Sequence, residues 1–381
     1  MSMKKDYGKQ ALQRHKKLHG KLEVISKAKL KTRDDWSTYY TPGVAAVSSH
    51  VAKNPKHARE YTMVRNTVAV VSDGSAVLGL GNIGALGALP VMEGKAVIFK
   101  EVAGVDAFPI VLDTQDVDAV VETIKNIAPG FGGINLEDFS APRCFEIEDR
   151  LKKELPIPVM HDDQHGTAIV VLAGIINAAK VVGKNIKKLK IVVIGAGAAG
   201  TAVSRLLVKF GIKNVSVVDS KGVIYKKRKG LSGYKKDLAK TTNPEGLQGS
   251  AGDVLVGADV VIGVSGPGSI KAGFIETMAD KPIVFALANP TPEIMPEDAL
   301  AAGAFVVATG RSDFPNQVNN ALVFPGIFRG ALDNGVKSIT DDMKLKAAKK
   351  LASLIKKPTA KNIIPSVRMK GVVKAIASAV K

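Results

Sequence analysis

The stretch KIVVIGAGAAGTAVSRLLVKFGIKNVSVVDS, residues 190–220, carries the pattern that decides the fold of this chain. It contains an apolar run, the glycine motif GAGAAG at residues 195–200, a helical pattern, a second apolar run and then Asp219. In such a unit the glycines allow a tight turn, the close approach of a pyrophosphate and close packing of the helix on the strand. The helix start offers amide donors to phosphates, and a carboxylate about 20 residues on binds ribose hydroxyls. The stretch therefore predicts a dinucleotide-binding βαβ unit.

Short apolar runs alternate with helical patterns on both sides of this unit, which is typical of an α/β fold. Strands are predicted at residues 68–71, 96–99, 109–112, 190–194, 214–218, 260–263, 283–286 and 305–308. Helices are predicted at residues 1–31, 117–126, 167–182, 199–210, 341–357 and 372–380, with an irregular loop at 34–42. We therefore predict a Rossmann-type doubly wound parallel sheet domain and a smaller α/β N-terminal domain.

The 381 residues of the chain are enough for two or three domains, and the pattern changes near residues 160–165. We predict an N-terminal domain at residues 1–162 and an NAD(P)-binding domain at residues 163–335. Residues 336–381 are predicted to form a C-terminal helical segment that packs on both domains. Ligand sites often lie between domains, so the cleft between these two is the expected site.

The chain is strongly basic, with 54 Lys and Arg against 35 Asp and Glu and a formal net charge of +19. Such a charge attracts anions, which raises nucleic-acid binding as one interpretation. However, the positive residues are scattered, and no aromatic platform or nucleic-acid motif accompanies them. We therefore interpret the charge as a lysine-rich surface that favours solubility and attracts small anionic substrates, and we expect no nucleic-acid partner.

Cysteine usage and hydropathy both indicate a cytoplasmic protein. Cys144 is the only cysteine, so no disulfide can form within the chain, as is usual in a reducing compartment. The lysines at the start precede no apolar run of the kind that secretory signals have. No stretch reaches the ~18 uninterrupted apolar residues of a membrane span, so we expect no membrane partner.

A second glycine motif, GLGNIG at residues 79–84, also matches the dinucleotide pattern. Pro90 and Gly94 follow it closely, and proline disfavours a helix interior, so a full crossover helix is not expected here. We interpret this motif as a tight backbone turn that lines another part of the cleft.

Two pairs of adjacent acids are candidate metal ligands. Glu137 and Asp138 lie in the segment GGINLEDFSAP, and Asp162 and Asp163 lie in VMHDDQHGTA, just before a predicted helix. Carboxylates in such loops can serve as hard oxygen ligands for Mg²⁺ or Mn²⁺. The alternative is that Asp163 caps the helix that follows. The spacing of these residues leaves both interpretations open.

Lys95 and Tyr40 are candidates for proton transfer. Lys95 stands at the start of the predicted apolar strand 96–99, and burial would lower the pKa of its amine, as suits a general base. The alternative is an exposed lysine at a strand edge. Tyr40 lies in YYTPGVA, which is equally compatible with an ordinary turn.

These residues belong to a wider likeness, because the chain resembles the small prokaryotic form of malic enzyme. Similar stretches follow the family's order over residues 39–333; they include YYTPGVAAVS, NLEDFSAPRCFEIE, PVMHDDQHGTAIVVLAGIINA, VVIGAGAAGTA, FALANPTPEI and FPNQVNNALVFPGIFRGALD. The resemblance implies oxidative decarboxylation of (S)-malate to pyruvate and CO₂ with a nicotinamide cofactor and a divalent metal. In place of the arginine of larger relatives, this chain has Ser75 and Ala76.

The resemblance also implies a role for each matching residue. The catalytic residues would be Tyr40 as general acid, Lys95 as general base and Asp162 as the carboxylate beside the lysine. The metal ligands would be Glu137, Asp138 and Asp163. The cofactor-binding residues would be Gly195, Gly197, Ala198, Ala199, Gly200, Asp219 and Asn289. The substrate-binding residues would be Asn289, Asn319 and Asn320.

The cofactor preference and the assembly are less closely defined. Asp219 favours NAD because a carboxylate repels the 2′-phosphate of NADP, but the basic run of Lys221, Lys226, Lys227 and Arg228 would offset this repulsion. The resemblance implies a homodimer with the basic N-terminal segment in its interface. It leaves open whether Tyr40 acts in its own subunit or in the neighbouring one.

Two other functions remain as alternatives. A 2-hydroxyacid dehydrogenase without decarboxylation would need no metal, and the acidic residues argue against it. A non-catalytic dinucleotide-binding protein would have no need of Lys95 or Tyr40.

Overall fold

The computed structural model describes residues 7–231 and 233–381, so residues 1–6 of the predicted N-terminal helix lie outside it. Its strands are β1 (Thr67–Ser72), β2 (Asp106–Val111), β3 (Gly133–Leu136), β4 (Val159–His161), β5 (Ile191–Ile194), β6 (Val215–Asp219), β7 (Gly222–Val223), β8 (Val260–Gly263), β9 (Ile283–Ala286) and β10 (Val306–Thr309). Its helices are α1 (Tyr7–Leu18), α2 (Arg33–Tyr39), α3 (Val44–Lys53), α4 (Ala58–Tyr61), α5 (Gly84–Ala103), α6 (Val117–Ile127), α7 (Arg143–Glu154), α8 (Asp162–Val182), α9 (Ala198–Phe210), α10 (Gly233–Thr241), α11 (Ala251–Leu255), α12 (Ala272–Glu276), α13 (Pro296–Ala301), α14 (Phe324–Asn334), α15 (Asp341–Ser353) and α16 (Val372–Ala377).

The first sheet is parallel, with strand order β2-β1-β3-β4. Every residue of β1 is buried, as expected for a central strand of a parallel sheet covered on both faces. In the pairing of β3 with β4, Leu136 stands opposite His161. Both strands end at these residues, so Glu137 and Asp162 leave the sheet side by side at its carboxyl edge.

The second sheet has the order β10-β9-β8-β5-β6-β7 and is parallel except for the short antiparallel strand β7. The chain moves outward from β5 to β6 on one side and from β5 to β8, β9 and β10 on the other. This reversal creates a crevice at the carboxyl end of β5, where open α/β sheets bind their ligands. The predicted fold class, a Rossmann-type sheet with a smaller α/β unit, is confirmed.

Helix α8 links the two sheets and lies at the centre of the molecule, where it packs against α9 and α15. Among the described residues it is the one helix with the length and apolar composition of a membrane span, but most of that window is buried inside the protein. Its Asn177 is fully buried and donates hydrogen bonds to the carbonyl oxygens of Ala352 and Ile363. These properties are those of a core helix that holds the C-terminal segment.

The C-terminal helices connect both parts of the molecule. Phe324 and Phe328 of α14 pack against Phe99 of α5, with ring centroids 4.7 and 5.5 Å away. Helix α15 packs on α8, and α16 packs on α14. The predicted domain boundaries at residues 162 and 335 remain a prediction.

The strand predicted at residues 96–99 is wrong, because this segment lies inside the 20-residue helix α5. The buried residues of this helix recur with helical spacing; they are Ala88, Met92, Lys95, Ala96 and Phe99. The apolar residues at 96–99 thus include two from the buried face of the helix and two from the sides of that face, and they do not form a strand. The helix also contains Pro90, so the expectation that no long helix follows GLGNIG is wrong as well.

The N-terminal region also differs from the prediction. Helix α1 ends at Leu18 rather than at residue 31, and the loop predicted at residues 34–42 is mostly helix α2. Thr32 and Asp35 form a capping box at the start of α2, a signal that the sequence contains. Helix α8 begins at Asp162, five residues earlier than predicted.

We expect Gly330→Ala to destabilise the protein, because α14 and α16 approach each other closely at this residue. A Cβ atom on Gly330 would lie 2.6 Å from the carbonyl oxygen of Ala377. Overpacking of this kind costs roughly 1–3 kcal/mol, which thermal unfolding would detect as a lower Tm. Gly130→Ala is the matched control, because a Cβ there has no neighbour within 4 Å. Equal Tm values for the two variants would contradict this close packing.

Candidate active site

A cleft of two adjoining cavities lies at the carboxyl edges of the two sheets. The first cavity, of about 810 Å³, has Lys95 and Asp138 on its wall, and the second, of about 560 Å³, has Asp219. Gly197 and Ser265 line both cavities, so the cleft is continuous across the glycine motif. The structure therefore brings the predicted proton-transfer lysine and the predicted dinucleotide loop to one cleft.

The acid cluster, which we define as Glu137, Asp138 and Asp163, lies in the first cavity. One carboxylate oxygen from each of the three residues lies within 4.8 Å of the other two. The backbone N–H of Asp138 donates to Oδ2 of Asp163 at 2.8 Å, which joins the β3 edge to the first turn of α8. Three convergent carboxylates supply the hard oxygen donors that Mg²⁺ and Mn²⁺ prefer, so these residues fit a divalent cation.

The electrostatics of the acid cluster also favour a bound cation. Burial raises the pKa of Glu137 well above its ordinary value, and the charge of Asp163 raises it further. Burial also opposes the ionisation of Asp163, but the adjacent His161 lowers its pKa to about 2. The Nε2 atom of His161 lies 3.2 Å from Oδ2 of Asp163. A cation among these carboxylates would relieve their mutual repulsion.

Lys95 is buried and lies between two carboxylates. Its Nζ is 2.5 Å from Oδ2 of Asp162 and 2.8 Å from Oε1 of Glu137. The ring of Phe324 covers the ammonium, with its centroid 4.5 Å away. Burial lowers the pKa of Lys95, but Asp162 and Glu137 outweigh it, so the pKa is raised. The expectation that burial would lower this pKa is therefore wrong for this arrangement of charges.

The interpretation of Asp163 as a helix cap does not describe the structure. The N-cap of α8 is His161, and both Asp162 and Asp163 lie in the first helical turn. Asp162 is fully buried and faces Lys95, close to Gly166. A Cβ on Gly166 would collide with the carboxylate of Asp162, so a side chain at this position would displace it. Sequence reasoning missed Gly166, although a glycine inside a helix is a signal of close packing.

The glycine motif forms the turn that joins the two cavities. Gly195 has a φ of 120°, and a Cβ on it or on Gly200 would collide with neighbouring backbone. A Cβ on Gly197, by contrast, would meet nothing within 4 Å. Ala198 and Ala199 begin α9 directly after it and line the first cavity. The turn and the helix start thus leave open the space that a pyrophosphate would fill.

Asp219 ends β6 at the far end of the cleft, where cations surround it. Arg228 contacts its two oxygens at 2.7 and 2.9 Å, and Lys235 contacts Oδ2 at 2.7 Å. Burial opposes ionisation of Asp219, but Lys235 and Arg228 lower its pKa. From the basic run, the structure thus brings the Arg228 side chain to Asp219. Lys235 was missed, because only the fold of α10 carries it there.

The predicted asparagines line the first cavity; they are Asn289, Asn319 and Asn320. The Oδ1 atom of Asn319 accepts from the backbone N–H of Ala321 at 2.8 Å, so this side chain also orders its own turn. Tyr40 differs from the other predicted residues. It is 64% exposed and is absent from the cavity walls formed by residues 7–231 and 233–381.

Comparison with known proteins agrees with this arrangement. The family model for the malic enzyme N-terminal domain matches residues 19–152, and the model for the malic enzyme NAD binding domain matches residues 164–381. The chain belongs to the malic enzyme family. The likeness seen in the sequence is thereby confirmed, as is a nicotinamide cofactor.

Individual relatives are similar over nearly the whole chain. The NAD-dependent malic enzyme of Geobacillus stearothermophilus is 56% identical over 95% of this chain and 76% of its own length. The bifunctional malic/malolactic enzyme of Bacillus subtilis is 54% identical over 97% of this chain and 91% of its own length. The crystal structure of the NAD-dependent malic enzyme from Thermotoga maritima aligns with a TM-score of 0.94 and 49% identity, covering 97% of this chain and 98% of that one.

We expect Gly197→Ala to weaken dinucleotide binding and to leave the fold intact, because its Cβ would extend into open space in the cleft. Gly200→Ala should instead destabilise the protein, because its Cβ collides with the backbone of Gly195. Titration of each variant with NAD, followed by fluorescence, gives the affinity, and thermal unfolding gives the stability. A Gly197→Ala protein with unchanged NAD affinity would contradict the predicted role of this loop.

Proposed function

We propose that this protein catalyses the oxidative decarboxylation of (S)-malate to pyruvate and CO₂, with reduction of NAD(P) and a requirement for Mg²⁺ or Mn²⁺. The observation that carries the proposal is the position of Lys95. Its ammonium touches Asp162 and Glu137 at one end of a cleft that also contains a dinucleotide loop. A metal-independent dehydrogenase would not need carboxylates converging on such a lysine.

The bound nicotinamide would accept hydride from C2 of malate, and a divalent cation held by the acid cluster would act as a Lewis acid. Lys95 would take the proton of the C2 hydroxyl, for which it must be neutral. Two of the carboxylates that raise its pKa, Glu137 and Asp163, belong to the proposed metal site. A cation there would neutralise their charge and leave Asp162 as the main support of the ammonium form, which would lower the pKa of Lys95.

Loss of the carboxylate as CO₂ leaves an enolate, and protonation at C3 then gives pyruvate. We assign this protonation to Tyr40 as general acid, and we assign to Lys95 the return of the proton to Tyr40. Asn289 and Asn320 line the same cavity and would orient a substrate carboxylate with their amide groups. Among the residues lining the first cavity, Lys95 is the one cation, so these amides carry much of that recognition.

Replacement of Lys95 by methionine should abolish most of the malate turnover, because proton transfer by a positioned group contributes about 10²–10⁴-fold. The measurement is the formation of pyruvate, CO₂ and reduced cofactor from malate with Mn²⁺. Lys100→Met is the matched control on the same helix, because Lys100 is largely exposed, pairs with Asp106 and does not line the first cavity. Formation of oxaloacetate without CO₂ would favour a dehydrogenase that does not decarboxylate. Near-full turnover by the Lys95→Met protein would contradict the assignment of Lys95 as general base.

We propose that NAD is the preferred cofactor, because the carboxylate of Asp219 stands on the wall of the second cavity. Arg228 and Lys235 neutralise this carboxylate and would be free to bind a 2′-phosphate if it were removed. The preference for NAD therefore depends on one acid that holds two cations.

Replacement of Asp219 by asparagine should shift the ratio of kcat/KM values toward NADP by about 10- to 100-fold, since a hydrogen bond to a charged group contributes roughly 1.5–3 kcal/mol. Steady-state assays with both cofactors give this ratio. Asp237→Asn is the control, because Asp237 lies on α10 beside Lys235 but pairs with Lys240. A preference for NADP in the unmodified protein would contradict the assignment of NAD.

We also propose that two copies of the chain form a homodimer through α1, α2, α3 and α4. None of these four helices contains a buried residue within the described chain. Many of their apolar side chains are exposed; they include Tyr7, Leu12, Trp36, Tyr39, Val44 and Tyr61. Helices normally bury an apolar face, so this surface needs a partner, and a second copy supplies the same surface by symmetry.

Tyr40 lies at the end of α2 on this exposed surface, away from the walls of its own cleft. We therefore assign it to the cleft of the neighbouring subunit. Mixtures of Tyr40→Phe and Lys95→Met subunits should then recover roughly a quarter of the wild-type activity, because half of the dimers are hybrids with one complete site. The measurement is malate turnover after the two inactive proteins are unfolded and refolded together. If dimers that are shown to contain one subunit of each kind recover no activity, Tyr40 acts in its own subunit and the assignment is wrong.

A further inference from the structure

A buried carboxylate, Glu148 on α7, lies behind the acid cluster and outside the cleft wall. It is 3% exposed and accepts hydrogen bonds from four donors. Oε1 accepts from Nζ of Lys152 at 2.6 Å and from the backbone N–H of His161 at 3.0 Å. Oε2 accepts from Nε2 of Gln164 at 3.2 Å and from Nε2 of His165 at 2.9 Å. A buried charge is costly unless it is paired and hydrogen-bonded, and this one is fully satisfied.

Three of these donors belong to the turn that begins α8, which also contains Asp162 and Asp163. The side chain of the N-cap residue, His161, makes no capping hydrogen bond of its own. Glu148 instead reaches across from α7 and accepts the N–H of His161. Glu148 thus connects α7 to the segment that presents the two acids through three hydrogen bonds.

Two hydrogen bonds and one close polar contact connect Glu148, through this turn, to Asp163. An ionised carboxylate can only accept, so Glu148 requires that the amide nitrogen of Gln164 face it. The other hydrogen of that nitrogen points to Nδ1 of His161, 3.0 Å away, so Nδ1 is an acceptor. The ring proton of His161 therefore resides on Nε2, which lies 3.2 Å from Oδ2 of Asp163 as a close polar contact without the alignment of a hydrogen bond. We call Glu148, Gln164, His161 and Asp163, in this order, the relay.

The charge of Glu148 supports this direction. Burial opposes its ionisation, but His165 and Lys152 beside it hold its pKa well below the usual range. At the other end of the relay, Oδ2 of Asp163 also accepts the backbone N–H of Asp138. The hydrogen bond from Asp138 and the contact with the His161 ring together restrain the rotation of the Asp163 carboxylate. The orientation of a metal ligand is a property that partners outside the coordination sphere commonly control.

We propose that Glu148 is a positioning residue that acts through Gln164 and His161 to orient Asp163 toward the divalent cation. This inference rests on the metal dependence proposed above. Glu148 does not touch the cleft, so its contribution is to the affinity for the metal and not to proton transfer. Loss of such an outer partner typically weakens metal binding about 10- to 100-fold.

The competing explanation is that Glu148 only anchors α7 to α8. The two explanations separate because Lys152 and His165 contribute to the anchor, whereas Gln164 is needed to pass the orientation to His161. Gln164→Leu removes the relay and leaves the contacts of Glu148 with the other three donors. Glu148→Gln keeps the size of the side chain but replaces one accepting oxygen by an NH₂ group.

The test measures Mn²⁺ binding to the full-length protein without cofactor, by electron paramagnetic resonance of the free ion. We expect Gln164→Leu and Glu148→Gln each to raise the Kd for Mn²⁺ about tenfold or more. His161→Gln keeps an amide donor near the position of Nε2 and should retain more of the affinity than His161→Phe.

The control is Asp341→Asn, because Asp341 lines the same small cavity as Glu148 and pairs with Lys209 and Lys344. It should lower Tm and leave the Kd for Mn²⁺ within about twofold of the wild-type value.

Wild-type affinity for Mn²⁺ in Gln164→Leu and Glu148→Gln proteins would overturn the inference, even if their Tm values fall. If Glu148→Gln does not fold, Gln164→Leu decides the question alone. A wild-type protein that does not bind Mn²⁺ is a different result, because it contradicts the metal dependence itself.

Discussion

The contact of Lys95 with Asp162 and Glu137 is the interaction on which the rest of the site depends. The three groups come from different elements, namely α5, the start of α8 and the end of β3. They meet because β3 and β4 end opposite each other and because the side chain of Lys95, from α5, reaches both carboxylates. Without the lysine, several buried carboxylates would repel one another at one point. Without the carboxylates, a buried ammonium would lose its support, since an isolated buried charge is costly.

This arrangement also explains why the site lies between two sheets. The first sheet brings the acids and the lysine together, and the second brings the glycine turn to the same cleft. Helix α8 belongs to both, because it carries Asp162 and Asp163 at its start and packs on α9 beyond the glycine turn. A rigid, buried helix can hold a metal ligand and a dinucleotide turn at a constant separation. Chemistry that needs both a hydride acceptor and a Lewis acid depends on that separation.

The sequence predicted those features that depend on local pattern. The βαβ unit at residues 190–220 was found because its strands, helix and glycines are neighbours in the chain. The resemblance implied the contact of Lys95 with Asp162, but the contacts of Lys95 with Glu137 and of Asp219 with Lys235 were not predicted, because they arise only through the fold. Strands β3 and β4 were not predicted, because β3 contains Gly133 and Asn135, which are uncommon in strands, and β4 has only three residues.

The wrong predictions also concern features that depend on contacts between residues distant in the sequence. The apolar run at residues 96–99 suits either a strand or a buried helix face, and tertiary packing on Phe324 and Phe328 selected the helix. The pKa of Lys95 was expected to fall with burial, but its direction depends on carboxylates that are distant in sequence. The likeness to malic enzymes supplied the roles of Tyr40, Asn289, Asn319 and Asn320, which no local pattern would have indicated.

The proposed function depends on one claim above all, that the acid cluster holds a divalent cation beside Lys95. The most direct test is X-ray diffraction near the manganese absorption edge, from crystals of the protein grown with Mn²⁺ and NAD. We predict an anomalous peak among the carboxylates of Glu137, Asp138 and Asp163, in the cavity that Lys95 lines. A structure with NAD ordered in the cleft and no anomalous peak at these three residues would contradict the claim.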